Sequence, residues 1–428
     1  MSAQKISSKK NHLIQTVLLL AACSILLSSC GLFSRTPKPL SQILDKEHTD
    51  QLDTKYKVII PELKEMHTWG NPIDIVTLSN CKVVGNLSVL RKSKTFQFND
   101  EIVIDPVITK DHTFIVTRNG QIKAYSNCDK KLSWSYDLGF KAKNSTSTLM
   151  HKNGKLYATI EQYLIVLSCE KGEELFYRKF ANKLISGVCV EGQQAYLSDA
   201  CNLYSIDLES GQVLYKSPGT VESISVESKF QPILYKQNML LTNHFARQLT
   251  FVDPTKMGMP VLQIRHPRST KSGPISLFVS NLVSQPIIDN NYLYFATRSG
   301  VVQKYDIEKN HSNWSLDVPS VQRLAKLGNL LIAVTLSNQA IAINSINGKT
   351  VWISNLQLKC KNTCEFLAPL CVNGTLLLLS KTGDLIGLNP YSGQLIFNTD
   401  LKLKNAISMS VVNDKLTVFT GKQILENQ

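Results

Sequence analysis

Thiols are the most reactive side chains in this 428-residue chain, and there are ten of them. A cysteine reacts or binds metal as the thiolate, and its neighbours in sequence decide which chemistry is open to it. Cys23 and Cys30 lie in an apolar N-terminal stretch; the others are Cys81, Cys128, Cys169, Cys189, Cys201, Cys360, Cys364 and Cys371. Cys360-Lys-Asn-Thr-Cys364 is the best candidate disulfide in an oxidising compartment, with two free thiols as the other reading. A zinc site there lacks a nearby histidine, and Cys371 belongs to an apolar strand pattern. Several remaining cysteines sit in similar strand patterns, where Cys behaves as a small buried hydrophobe. The eight histidines, at 12, 48, 67, 112, 151, 244, 266 and 311, show no ligand spacing. Neither a Gly-x-Ser-x-Gly elbow nor a His-Glu-x-x-His zinc helix occurs. Gly348-Lys349-Thr350 ends like a phosphate loop, but Ile343 stands where that loop needs its first glycine. No catalytic or metal site is expected, and no cofactor.

Cys30 has a different context. Lys5, Lys9 and Lys10 precede an apolar run from Leu13 to Ala22 and a second from Ile25 to Leu27. That is the charged and apolar architecture of a secretory signal. The run ends Leu27-Ser28-Ser29-Cys30, which resembles a bacterial lipobox: small residues admit the peptidase, and the Cys thiolate accepts a diacylglyceryl group. A plain signal or anchor helix with an incidental cysteine is the alternative. The expected organisation is a lipoprotein signal over 1–29, a lipidated tether over 30–57 and a folded body over 58–428. Gly31, where lipoproteins retained at the inner membrane carry Asp, points to the outer membrane and a periplasm-facing body. Loss of the signal removes three lysines and no acid, so a formal charge of +14 becomes +11. The densest basic stretch is Arg265-His-Pro-Arg268-Ser-Thr-Lys271. Export makes nucleic acid remote, so the charge reads as solubility and attraction to an anionic envelope surface or an acidic partner. With 43% hydrophobic and 19% charged residues, disordered and collagenous classes are excluded.

The elements that would position any site come from a repeat. Tyr204-Ser-Ile-Asp207-Leu-Glu-Ser-Gly211-Gln-Val-Leu-Tyr215, Ala342-Ile-Asn344 through Gly348 to Trp352, and Gly387-Leu-Asn389 through Gly393 to Phe397 share one pattern. A weaker copy runs from Lys123 to Trp134. Trp134 and Phe397 are 263 residues apart, which is six steps of about 44. A period of that size, filled with short strands and no helical spacing, is what a propeller blade requires. Seven copies centre on 105–140, 145–180, 186–217, 231–264, 284–318, 320–356 and 366–401. The C-terminal piece from Ile407 to Leu425 supplies most of another blade, and the segment Val58 to Leu90 is expected to complete it. Closure of that kind removes free sheet edges. The expected fold is all-β: a single eight-bladed β-propeller of four-stranded antiparallel blades. The aromatic that ends each copy reads as inter-blade packing rather than a ligand-stacking ring.

The Asp/Asn-x-x-x-Gly-x-x-x-aromatic copies resemble the pyrroloquinoline-quinone-type propeller repeat. With the lipobox, they resemble the BamB family, lipoprotein subunits of the outer-membrane β-barrel assembly (BAM) complex. The resemblance spans about 65–428, with Trp69-Gly70-Asn71-Pro72 as a degraded echo of that family's N-terminal segment. It implies a non-catalytic scaffold that docks to BamA and aids insertion of outer-membrane proteins, which are possible substrates. The repeat steps are longest around loops 217–231 and 265–285, where the family's partner contacts fall. Ser223-Ile224-Ser225-Val226-Glu227 is similar to the family's contact segment; Ile224 and Val226 keep its apolar pair, while Glu227 stands for a basic residue. Asn281 and Val283 occupy positions that are acidic in the family. A quinoprotein-like dehydrogenase shares the repeat, but that family's vicinal cysteines are missing here. A glycan- or ligand-sensing propeller is the remaining alternative.

Overall fold

The computed structural model describes residues 52–53, 55–70, 76–97, 100–142, 147–199, 201–219, 230–236, 239–243, 248–267, 282–358 and 364–427, with backbone alone at 91–97. Cys30, Ile224, Val226, Glu227, Asn281 and Cys360 lie outside them, as do the signal and most of the tether. Leu52–Gln428 is one compact unit.

Strands account for the regular structure, and they follow from the local chemistry of each repeat. The second strand of a copy is apolar on both faces, as in Lys155–Ile160, Leu330–Thr335 and Thr375–Leu379, and is buried on both. The fourth alternates, as in Leu132–Asp137 and Glu174–Lys179, and keeps alternate side chains exposed. Between first and second strands, Asn153-Gly154, Asn373-Gly374 and Asn413-Asp414 all take positive φ. Two successive positive φ angles are what a tight hairpin needs to match the twist of its strands. At the start of the repeat's turn, Asp207 Oδ1 accepts from the Ser210 amide at 2.7 Å and Asn389 Oδ1 from the Tyr391 amide at 2.8 Å. The short carboxylate or amide thus folds the turn onto itself. A register shift precedes that turn in every one of the seven copies, from Ala124/Tyr125 to Gly387/Leu388.

Each copy is a blade of four consecutive antiparallel strands, so the chain is an all-β propeller with seven such blades, spanning 107–137, 148–179, 189–218, 233–265, 287–317, 321–355 and 370–400. An eighth, composite sheet pairs Ala406–Val412, Lys415–Thr420 and Gln423–Asn427 with Leu90–Gln97. Neighbouring blades meet through the repeat's aromatics. Trp134 Nε1 donates to Cys169 O at 3.0 Å in the second blade, and Trp352 Nε1 to Pro390 O at 2.8 Å in the seventh. Each indole lies flat against the next blade's turn glycine. At Gly393, with φ +70°, a Cβ would come within 2.5 Å of the Trp352 ring. Only glycine meets both demands there. The aromatics are therefore packing residues, and no ring of stacked ligands is available to them.

The closing strand is a correction to the sequence reading. Leu90–Gln97, rather than Thr77–Leu78 or Val83–Val84, pairs antiparallel with Gln423–Asn427. Its Arg91-Lys92-Ser93-Lys94 run looks unlike a strand of a buried sheet. The outermost position of a blade, however, accepts basic side chains, and they discourage further edge pairing. The expected segment instead runs as a strap. Leu63–Lys64 and Asn80–Cys81 extend the seventh blade in parallel, and Thr77–Leu78 extends the sixth. Asp53 N donates to Thr350 O and Tyr56 OH to Asn329 O, so the last residues of the expected tether pack on the sixth blade. Val84 N reaches Asp414 O in the composite sheet, and Trp69 exchanges two backbone hydrogen bonds with Ile108 in the first blade. The strap therefore ties together the four sheets around the point where the ring joins.

Candidate functional site

The two long loops leave from neighbouring, rigid stems. The first joins Val213–Pro218 of the third blade to Phe230, whose buried backbone bridges Ser186 in parallel and accepts from Gly187 N at 2.8 Å. The second joins Met259–Arg265 of the fourth blade to Leu282, which bridges Thr297. A buried amide pair fastens one stem to the other. Gln231 N donates to Gln285 Oε1 at 2.7 Å, and Gln285 Nε2 returns a bond to Gln231 O at 2.7 Å. Gln231 Nε2 also donates to Val188 O at 2.7 Å and lies 3.2 Å from Met150 Sδ. Through its backbone and side chain together, Gln231 thereby links the connections of the second to fifth blades. Reciprocal hydrogen bonds between buried amides hold a stem to one geometry. On the far side of the second loop, Ser299 Oγ donates to Pro267 O at 3.1 Å.

The structure thus brings the bases of both candidate loops together at one end of the third, fourth and fifth blades. Ile224, Val226, Glu227 and Asn281 fall in the loops themselves, outside the described residues. Val283 is described: its side chain is buried in the chain, and its amide donates to Ala296 O at 3.1 Å. It belongs to the stem, next to the isolated bridge between Leu282 and Thr297 and ahead of the strand Ile287–Asp289. Gln231 and Gln285 escaped sequence reasoning, since two amides in different blades carry no periodic signature.

Cys364 is buried and disulfide-bonded, and its partner lies outside the described residues. Cys81, Cys169, Cys189 and Cys371 are free. Burial pushes the Cys81 and Cys189 thiols up to about 11 and the Cys169 and Cys371 thiols up to about 12. These four are neutral at physiological pH, so none is a resting thiolate nucleophile. Among the described residues, no group of three or more His, Cys, Asp or Glu is placed to hold a metal ion. What the face offers is a rigid platform for loops, suited to binding.

Comparisons with known proteins agree with this architecture. A family profile described as outer membrane protein assembly factor BamB matches residues 140–354. An uncharacterized protein of Rickettsia prowazekii is 23% identical over 375 residues, covering 81% of this chain and 89% of its own. The outer membrane protein assembly factor BamB of Legionella pneumophila is 30% identical over 143 residues, 33% of this chain and 36% of that protein. Among solved structures, BamB from Moraxella catarrhalis superposes with a TM-score of 0.64 at 17% identity, covering 79% of this chain and all of that one. A europium-containing methanol dehydrogenase superposes at 0.60 with 11% identity over 84% of this chain and 91% of its own, a likeness of fold alone. The matched profile spans half of the chain and takes in the stems of both long loops, and on that ground the chain belongs to the outer membrane protein assembly factor BamB family.

Proposed function

We propose that this chain is a non-catalytic scaffold lipoprotein of the outer-membrane β-barrel assembly machinery. In this reading it is anchored through Cys30 on the periplasmic side of the outer membrane, with 1–29 as signal, 30–57 as tether and 58–428 as the propeller. It docks to BamA through the loops at 217–231 and 265–285. The observation that carries the reading is the pair of enlarged loops on stems locked by Gln231 and Gln285, in a chain of the BamB family. A scaffold needs loops held in fixed relation, and reciprocal hydrogen bonds between two buried glutamines supply that without catalytic groups.

We also read the composite sheet as an eighth blade. Its first strand enters the sequence order after the seventh blade, and Ile102 of the chain leading into the first blade donates to Gly421 O at 2.8 Å. Cys360 is the proposed partner of Cys364, which would pin the connection between the sixth and seventh blades. The docking role is tested on the full chain by co-recovery with BamA after Ile224→Asp with Val226→Asp. A charged residue in a buried apolar contact typically costs several kcal/mol, so recovery should fall at least tenfold. Undiminished recovery removes this loop from the docking surface.

A further inference from the structure

The turn between the third and fourth strands closes by a recurring bond, and the fourth blade alters it. In five blades an amide four residues on donates to the first carbonyl of the turn: Lys130 N to Ser126 O, Gly172 N to Ser168 O, Gly211 N to Asp207 O, Gly348 N to Asn344 O and Gly393 N to Asn389 O. In the fourth blade the bond spans five residues, from Gly258 N to Asp253 O at 3.0 Å. That turn therefore holds one residue more than its counterparts. Met257 stands directly before the glycine with a φ of 54°. Outside glycine this left-handed conformation is uncommon and favours Asn or Asp over Met.

The residue after the turn departs from the pattern as well. Lys131, Glu173, Gln212, Lys349 and Gln394 hold that place in the five blades, and all are polar and exposed; in the fourth blade it is Met259. Met257 is 70% exposed and Met259 62%. Among the other described methionines, Met150 and Met409 are buried, and Met66 and Met239 pack against hydrophobic clusters. The turn does not rely on its two thioethers. Gly258 O accepts from Ser217 Oγ at 3.2 Å, and a Cβ at Gly258 would come within 2.9 Å of the Tyr215 ring. Asp253 Oδ1 accepts from Thr255 N at 2.9 Å, and Asp253 Oδ2 lies 3.4 Å from Lys256 Nζ. The third blade braces the turn from behind, and both sulfur-bearing side chains are left to solvent.

We propose that Met257 and Met259 form a reversible sulfoxidation site whose substrate is a small peroxide. A thioether is unusual among apolar groups, since oxidation makes it polar and a reductase restores it. In the step, a sulfur lone pair attacks one peroxide oxygen and the O–O bond breaks. The hydroxide that leaves takes the proton of the transferred hydroxyl and departs as water. Sulfur is oxidised by two electrons and the peroxide is reduced. Two thiols of a methionine sulfoxide reductase reverse the change, becoming a disulfide as the oxygen leaves as water. Each oxygen gained gives an apolar turn a new acceptor, at the start of the outermost strand Met259–Arg265. The site does not depend on the docking role.

The test treats the full chain with hydrogen peroxide and follows each methionine by peptide mass spectrometry. Met257 and Met259 should gain an oxygen each at least about tenfold faster than Met150 and Met409, whose sulfurs react only when the core opens. The thermal unfolding midpoint should move by less than about 2 °C, because neither side chain supports the core. Retention of the folded chain on a hydrophobic column should fall. A methionine sulfoxide reductase with its thiol donor should remove both oxygens and restore retention. Met257→Leu with Met259→Leu keeps the apolar surface without the sulfur, so its retention should not respond to peroxide; its own unfolding curve checks that it folds. Equal rates at Met150 or Met409 overturn the proposal. So do oxygens that the reductase leaves in place, or a retention change that persists in the leucine variant.

Discussion

Asp199 illustrates how a charged side chain can serve the fold alone. It is fully buried just after the third blade's second strand, Gln194–Ser198, where its backbone bridges Leu184. Burial raises its pKa, but the Tyr204 hydroxyl at 2.8 Å, the Cys201 amide at 2.7 Å, Asn182 and Asn202 outweigh that and hold it below the usual carboxylate value. A depressed folded-state pKa stabilises above the unfolded value of about 3.9 and is lost as pH falls through the folded value. Asp199→Asn should therefore cost about 1–3 kcal/mol near neutral pH, with the gap to the parent protein narrowing below about pH 4. Thermal unfolding between pH 2.5 and 7 checks this; a gap that stays constant across the range would contradict it. Neither the burial of Asp199 nor its four donors was legible in the sequence, because the donors converge only once two strands and a turn have folded.

At the scale of elements, the sequence was most legible where chemistry repeats. The Asp/Asn-x-x-x-Gly turn and its aromatic located the third and fourth strands, since each residue type there answers a local demand. The strap was read differently from its actual course. Its apolar Val58–Leu90 stretch looked like a missing blade strand, yet it lies across blades in parallel pairs of two residues, which have no recognisable period. Asn329 fastens its first part: Oδ1 accepts from Ile59 N at 2.8 Å, Nδ2 donates to Lys57 O at 2.9 Å, and the backbone amide donates to Ile59 O at 3.2 Å. Asn329→Ala should release residues 52–60 locally, costing about 1–3 kcal/mol. Hydrogen exchange would show it as faster exchange at Ile59 with the core of the sixth blade, Leu330–Thr335, still protected. Unaltered exchange at Ile59 would mean that Asn329 does not hold the strap.

For the whole molecule, the anchoring chemistry and the ring are separable. In the proposed anchoring, the signal and Cys30 would act by sequence alone, through enzymes that read an extended segment. Labelled palmitate should therefore enter the full chain and be absent from Cys30→Ala, while near-neutral stability of the propeller stays within about 0.5 kcal/mol. Label in Cys30→Ala would refute acylation at that residue.

The period, the hairpin turns and the aromatic-on-glycine contacts were determined by the sequence itself, because each is satisfied within a blade or between consecutive blades. Which segment closes the ring, which amides lock the two loop stems, and which asparagine fastens the strap were decided only by tertiary structure. Those outcomes join residues hundreds of positions apart, as when Leu90–Gln97 meets Gln423–Asn427 or Asn329 holds Ile59. Such pairings depend on the ring being complete, and no local pattern of residues encodes them.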